Sequence, residues 1–112
     1  IDFKALIYSC DIGLSTVLLN RKVLKTKLKF TKIKTKEDFV LWLKILQQQI
    51  KIFSIDESLV YWRRLDTSLA SSTIQKLKDA YKVYNHFMKF NMFKSTYYVL
   101  CLCFNFLKKT HR

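Results

Sequence analysis

Glu37 and Asp38 stand side by side at the head of the apolar stretch "KTKEDFVLWLKIL", residues 34 to 46, directly after a segment that is almost purely basic. Two chemistries suit an acidic pair in that place. Carboxylates in the first turn of a helix complement the positive end of its dipole. A carboxylate within hydrogen-bond reach of a hydroxyl can instead take its proton as a general base. Spacing alone leaves both open. The remaining reactive side chains offer less. His86 and His111 have no partner visible in the sequence. Cys10, Cys101 and Cys103 form an odd set with no framework spacing, which suggests reduced thiols in a cytosolic setting. Cys101 and Cys103 lie in an apolar run without a nearby acidic or His ligand, and read as small buried hydrophobes rather than a metal or redox site.

The chain that must position these groups has 112 residues, room for one domain with a modest core. Half of the residues are apolar, which argues against a disordered chain. Lys plus Arg number 21 against 8 Asp plus Glu, a net charge of +13. That balance favours an anionic partner: nucleic acid, a phosphorylated small molecule or an acidic membrane surface. From Arg21 to Lys36 there are eight basic residues and no acid, a solvated face or an anion-binding one. Proline is absent, Gly13 is the one glycine, and a start at Ile1 without a signal peptide suggests a piece of something longer.

The stretch "DIGLSTVLLN", 11 to 20, is β-branched and apolar and predicts a buried strand. Residues 25 to 36 alternate Lys at a period near two, as in an edge strand or an extended loop. A helix follows, with Thr35 as N-cap and Asp38 three residues later in a capping-box position. Phe39, Trp42, Leu43 and Leu46 form its apolar stripe, and the glutamines at 47 to 49 close it. Residues 51 to 64 read as two short strands, or a strand and an extended segment, and "LDTSLASST" as a polar loop. Ser72 and Gln75 make a second capping box, opening a helix with Ile74, Leu77, Tyr81, Tyr84 and Met88 on one face. Asn91 breaks it. A further helix over 92 to 109 carries Phe93, Tyr97, Leu100, Phe104 and Leu107; its apolar core is too short to span a bilayer. Its aromatic bulk and flanking Lys94, Lys108, Lys109 and Arg112 suit either an interfacial helix or a helix packed on a larger protein.

Taken in order, "GLSTV", "TKEDFVLWLKIL" and "ESLVYWRRLDTSLASS" resemble the C-terminal part of family 2 glycosyltransferases, inverting enzymes of the GT-A fold, and within them the bacterial members that build capsule, lipooligosaccharide and other surface glycans. The resemblance covers most of the chain and weakens past about residue 90. It implies a fold class: an α+β fragment of an α/β GT-A domain, with a few short strands, one helix after the acidic pair and two C-terminal helices. Residues 1–71 would be the acceptor-side part of that domain and 72–112 a helical extension. It also implies roles. Asp38 would deprotonate an acceptor hydroxyl attacking the anomeric carbon of a nucleotide sugar, and Glu37 would hold acceptor hydroxyls. Arg63, at the Tyr-x-Arg position, and its neighbour Arg64 would meet the diphosphate leaving group through a bidentate fork, or else form a surface pair. Neighbours on a strand point to opposite faces, so one of the two would face the site. Trp42 would floor the acceptor pocket by stacking on a sugar, or serve as core; Ser15 and Thr16 would border it. Many relatives carry a His after the arginine, where this chain has Leu65 and Asp66.

The donor-side Asp-x-Asp motif of that family, which holds a divalent cation (Mg or Mn) on the diphosphate, does not occur in the sequence. The resemblance therefore implies an acceptor-side piece that binds no metal by itself and is inactive alone. Its substrates would be a nucleotide-sugar donor and a glycan or lipid-linked acceptor. The intact enzyme would be cytoplasmic and peripheral at the inner face of the membrane. A cationic module gripping nucleic acid or a membrane surface is the competing class. Basic residues spread through both halves, with no recognisable nucleic-acid motif, argue against nucleic acid.

Overall fold

The structure is a computed structural model and describes residues 1–63, 65–67 and 73–111. Its order is α1 (Phe3–Ile7), two single 3₁₀ turns (Leu14–Thr16 and Arg21–Val23), α2 (Glu37–Gln47), α3 (Thr73–Lys82) running into a π-helical turn (Val83–Phe87), and α4 (Met92–Thr110).

α2 is the centre of the molecule. Phe39, Val40, Leu41, Trp42, Leu43, Ile45 and Leu46 are all buried, so the helix is apolar nearly all round rather than along one stripe. At roughly 1.5–3 kcal/mol for each large buried side chain, these residues are the main source of cohesion. Leu6 and Ile7 from α1, Val83, Tyr84 and Met88 from the π turn and its exit, and Leu102 from α4 complete the same core. Tyr84 is its hub. It is fully buried, donates its hydroxyl to the Ile7 carbonyl at 2.7 Å, meets the Phe39 ring edge-on and stacks with Tyr98 at 5.2 Å. Burial, with nearby thiols and Tyr98 adding to it, pushes the Tyr84 phenol far above the ordinary range.

The α+β expectation is wrong: among the described residues there is no strand and no sheet. Gly13, Val17, Asn20 and Leu24 do hold extended backbone angles. Between them, however, the Thr16 amide and hydroxyl both turn back to the Gly13 carbonyl, and the Asn20 side chain caps the next turn through the Lys22 amide. Residues 51 to 63 run without helix or ladder. β-Branched and aromatic residues fit a pleated surface, yet a strand exists only where a neighbour supplies its hydrogen-bond partners. Here the extended segments do not pair with each other.

Three helix boundaries are made by non-glycine residues in the left-handed region: Lys36 (φ 63°), Gln49 (φ 62°) and Lys89 (φ 58°). The glutamine run does end α2, with Gln48 and Gln49 amides returning to Ile45 and Leu46 carbonyls. Asn91 caps α4, accepting from the Lys94 amide at 2.8 Å. The helix expected around residue 72 is present as α3, although Ser72 and the capping box it would open lie outside the described residues. The expected face of that helix splits. Tyr84 and Met88 are buried while Ile74 and Leu77 are exposed. The five-residue turn, with the Met88 amide bonded to the Val83 carbonyl, slips the helical phase by one residue. No helix among the described residues is long and apolar enough to cross a membrane.

Candidate functional site

The acidic pair occupies the first turn of α2, and three neighbouring elements fix its place. Thr35 does not cap the helix. It is buried and donates its amide and its hydroxyl to Asp79 Oδ2 on α3, at 2.8 and 2.6 Å. Lys36 then reverses the chain through its left-handed conformation, and its carbonyl accepts the Val40 amide. Glu37 and Asp38 follow, both half-buried. Asp38 Oδ1 accepts from the Phe39 amide at 2.8 Å, a bond within its own turn in place of the reciprocal capping box. Among the described residues, no donor reaches the other carboxylate oxygen of Asp38.

Asp79 is the buried charge behind this arrangement. Burial works to raise its pKa. Hydrogen bonds from the Thr35 hydroxyl, Gln75 and the Thr35 amide, with the charge of Lys82, outweigh that and hold the carboxyl below the ordinary aspartate value. On the other side of the pair lies Cys10, half-buried in the loop after α1. Burial raises its thiol pKa, Asp38 and Glu37 add to the rise, and Lys36 and Lys109 oppose it. Lys109, near the end of α4, donates to Ser9 Oγ and pairs with the Asp11 carboxylate, while Asn105 donates to the Tyr8 carbonyl at 2.9 Å. The acidic pair thus sits where α2 begins, between the α1 loop with its α4 tether and the Asp79 anchor on α3.

The other expected site residues fall elsewhere. Trp42 lies in the core, 4 % exposed, and its buried indole Nε1–H has no acceptor among the described residues. Ser15 and Thr16 are exposed in the first 3₁₀ turn. Arg63 is exposed on the extended segment, and Arg64 lies outside the described residues. Among the described residues no hydrogen bond or ion pair joins Asp38 to Ser15, Thr16 or Arg63. Asp79 and Cys10 are the residues that sequence reasoning passed over. Both are separated from the pair by long stretches of chain, and their only signal was their type: an acid inside a lysine-rich helix and a lone cysteine before an Asp.

No group of three or more His, Cys, Asp or Glu side chains among the described residues is arranged to hold a metal ion. All three cysteines are unbridged and half-buried.

No family model matches the chain, and no solved structure matches it. The chain is 24 % identical over 98 residues to the Bacillus subtilis (strain 168) protein named "Putative teichuronic acid biosynthesis glycosyltransferase TuaG". That stretch is 88 % of this chain and 38 % of the relative, so the chain spans well under half of the protein it resembles. The similarity supports a glycosyltransferase relationship.

Proposed function

We propose that these residues are the acceptor-side portion of an inverting, family 2-type glycosyltransferase that builds a cell-surface polysaccharide, with Asp38 as the general base. The observation that carries the reading is the match along 98 residues to a protein named for teichuronic acid biosynthesis. The placement of Asp38 agrees with it. Its carboxylate is anchored by one oxygen to the Phe39 amide, on a helix whose apolar side chains are locked in the core. A base held on so rigid an element is aimed, which is what proton abstraction in a transition state requires.

In this reading an acceptor hydroxyl gives its proton to Asp38 as its oxygen attacks the anomeric carbon and the nucleoside diphosphate leaves. Glu37 holds a neighbouring hydroxyl of the acceptor, and Arg63 or Arg64 receives the departing diphosphate. Ser15 and Thr16, exposed on the first 3₁₀ turn, border the acceptor. The donor, and any divalent cation on it, is bound by residues outside this chain, and the 112 residues alone neither hold a nucleotide sugar tightly nor turn over.

The test is Asp38→Asn in the longest natural polypeptide that contains these residues. Transfer from a nucleotide sugar should fall by about two to four orders of magnitude, the usual weight of a general base, with donor binding by calorimetry unchanged. Turnover at the wild-type rate would leave Asp38 as a helix-terminal charge and no more.

A further inference from the structure

The apolar stripe of α4 is on the outside. Phe93, Tyr97, Leu100, Phe104 and Leu107 recur at spacings of four and three residues and are all between 54 and 82 % exposed. The opposite side, with Ser95 and Leu102 buried and Tyr98 and Val99 packed on the core, holds the helix to the body. Over 14 residues the exposed stripe is about 21 Å long at the α-helical rise. Beside it Tyr8, Tyr97, Leu100, Cys101, Phe104 and Asn105 line a trough of about 370 Å³ that contains no charged residue.

Charge decides what this face meets. From Ala80 to Arg112 the sequence has six Lys and Arg and no acid, and Lys94 and Lys108 flank the stripe. A second copy of the chain laid along this face would bring lysines against lysines with no carboxylate to pair them. A protein partner that completes a sheet is drawn instead to the extended segments, which have backbone groups to offer, whereas the α4 backbone is satisfied within its own helix. An apolar aromatic face with cationic ends and no acid has its complement in a surface that is apolar beneath and anionic on top.

We propose that α4 docks on an anionic lipid surface, with Phe93, Tyr97, Leu100, Phe104 and Leu107 entering the headgroup–acyl boundary and Lys94 and Lys108 meeting lipid phosphates. This does not rest on the transferase reading, since it concerns a face that no step of the transfer uses. The whole chain is sedimented with vesicles of phosphatidylglycerol and phosphatidylcholine, and with vesicles of phosphatidylcholine alone. Binding should require the anionic lipid, weaken as salt rises, and fall about tenfold or more in Phe104→Glu/Leu107→Glu, each glutamate setting a charge in the apolar boundary. Phe93→Ser/Tyr97→Ser should weaken it as well, and Tyr61→Ser/Trp62→Ser, on an exposed segment elsewhere, should not. All six side chains lie on the surface, so circular dichroism should show the wild-type helix content. Equal binding to neutral vesicles, wild-type binding by the Phe104/Leu107 variant, or a dimer in solution that the same variant dissolves would each overturn the proposal.

Discussion

Thr35 gives both its amide and its hydroxyl to a single oxygen of Asp79, 44 residues away, at 2.8 and 2.6 Å. The two bonds tie the residue before Lys36 to α3, and so set where the left-handed turn at Lys36 begins and where Glu37 and Asp38 emerge. A second donor, Gln75 Nε2, reaches the other Asp79 oxygen at 3.0 Å. A buried carboxylate with this many donors is stable as the anion and costly to disturb, because each donor left without it stays desolvated.

Asp79→Asn should therefore destabilise the fold by about 2 kcal/mol at neutral pH, the scale of hydrogen bonds to a charged group. The pH dependence has a definite sign. The folded carboxyl titrates below its unfolded value, so its contribution is fully present above the ordinary aspartate range and is lost as pH falls through the depressed folded value. Urea unfolding of both proteins should show a constant gap near neutrality that narrows in acid. A gap that widens with acidity would mean that the anion is not what the site stabilises.

Cys10 reports on the acidic pair. With its thiol raised by burial and by Asp38 and Glu37, it should be alkylated by iodoacetamide more slowly than a free cysteine at pH 8, and approach it only at higher pH. In a chain carrying Cys101→Ala and Cys103→Ala, adding Asp38→Asn removes one of the raising charges. Alkylation at pH 8 should then speed up about two- to threefold, since one nearby charge in a partly solvated site moves a pKa by a fraction of a unit. An unchanged rate would place Asp38 outside the electrostatic reach of Cys10.

Lys89 is exposed and left-handed at the exit of the π turn. Glycine adopts that conformation without the steric cost borne by a residue with a Cβ. Lys89→Gly should raise stability by about 0.5–1 kcal/mol, read as an increase in Tm of a few degrees. A lower Tm would show that the loss of chain entropy in the unfolded state, or the Lys89 stem itself, outweighs the relief.

The helices were legible where a periodic apolar pattern met a boundary residue: α2 between the acidic pair and the glutamine run, α4 after Asn91. α1 was not, although Asp2 caps it through the Ala5 amide at 2.8 Å, because five residues are too few to show a period. The strands at 11 to 20 and 51 to 64 were misread because β propensity reports a fit to a pleated surface, while pairing depends on a neighbour that propensity does not name. The face of the helix that becomes α3 was misread because the π turn shifts the phase before Tyr84. α4 is apolar on both sides, and Ser95, the small residue at its close approach, marks the side packed on the body. The acidic pair could be found from its position, but its support by Thr35 and Asp79 joins residues that nothing in the local pattern connects.

The extended segments that found no ladder also govern how molecules of this protein treat one another. Leu18, Phe53, Tyr61 and Trp62 lie open to water on them, next to backbone groups outside any ladder, which is the kind of surface that templates edge-to-edge aggregation. Against it stands a charge of +13, whose mutual repulsion keeps copies apart. That repulsion reaches about 10 Å at 0.1 M salt and about 3 Å at 1 M. Colloidal stability should thus be electrostatic, with light scattering rising as added salt screens the lysines.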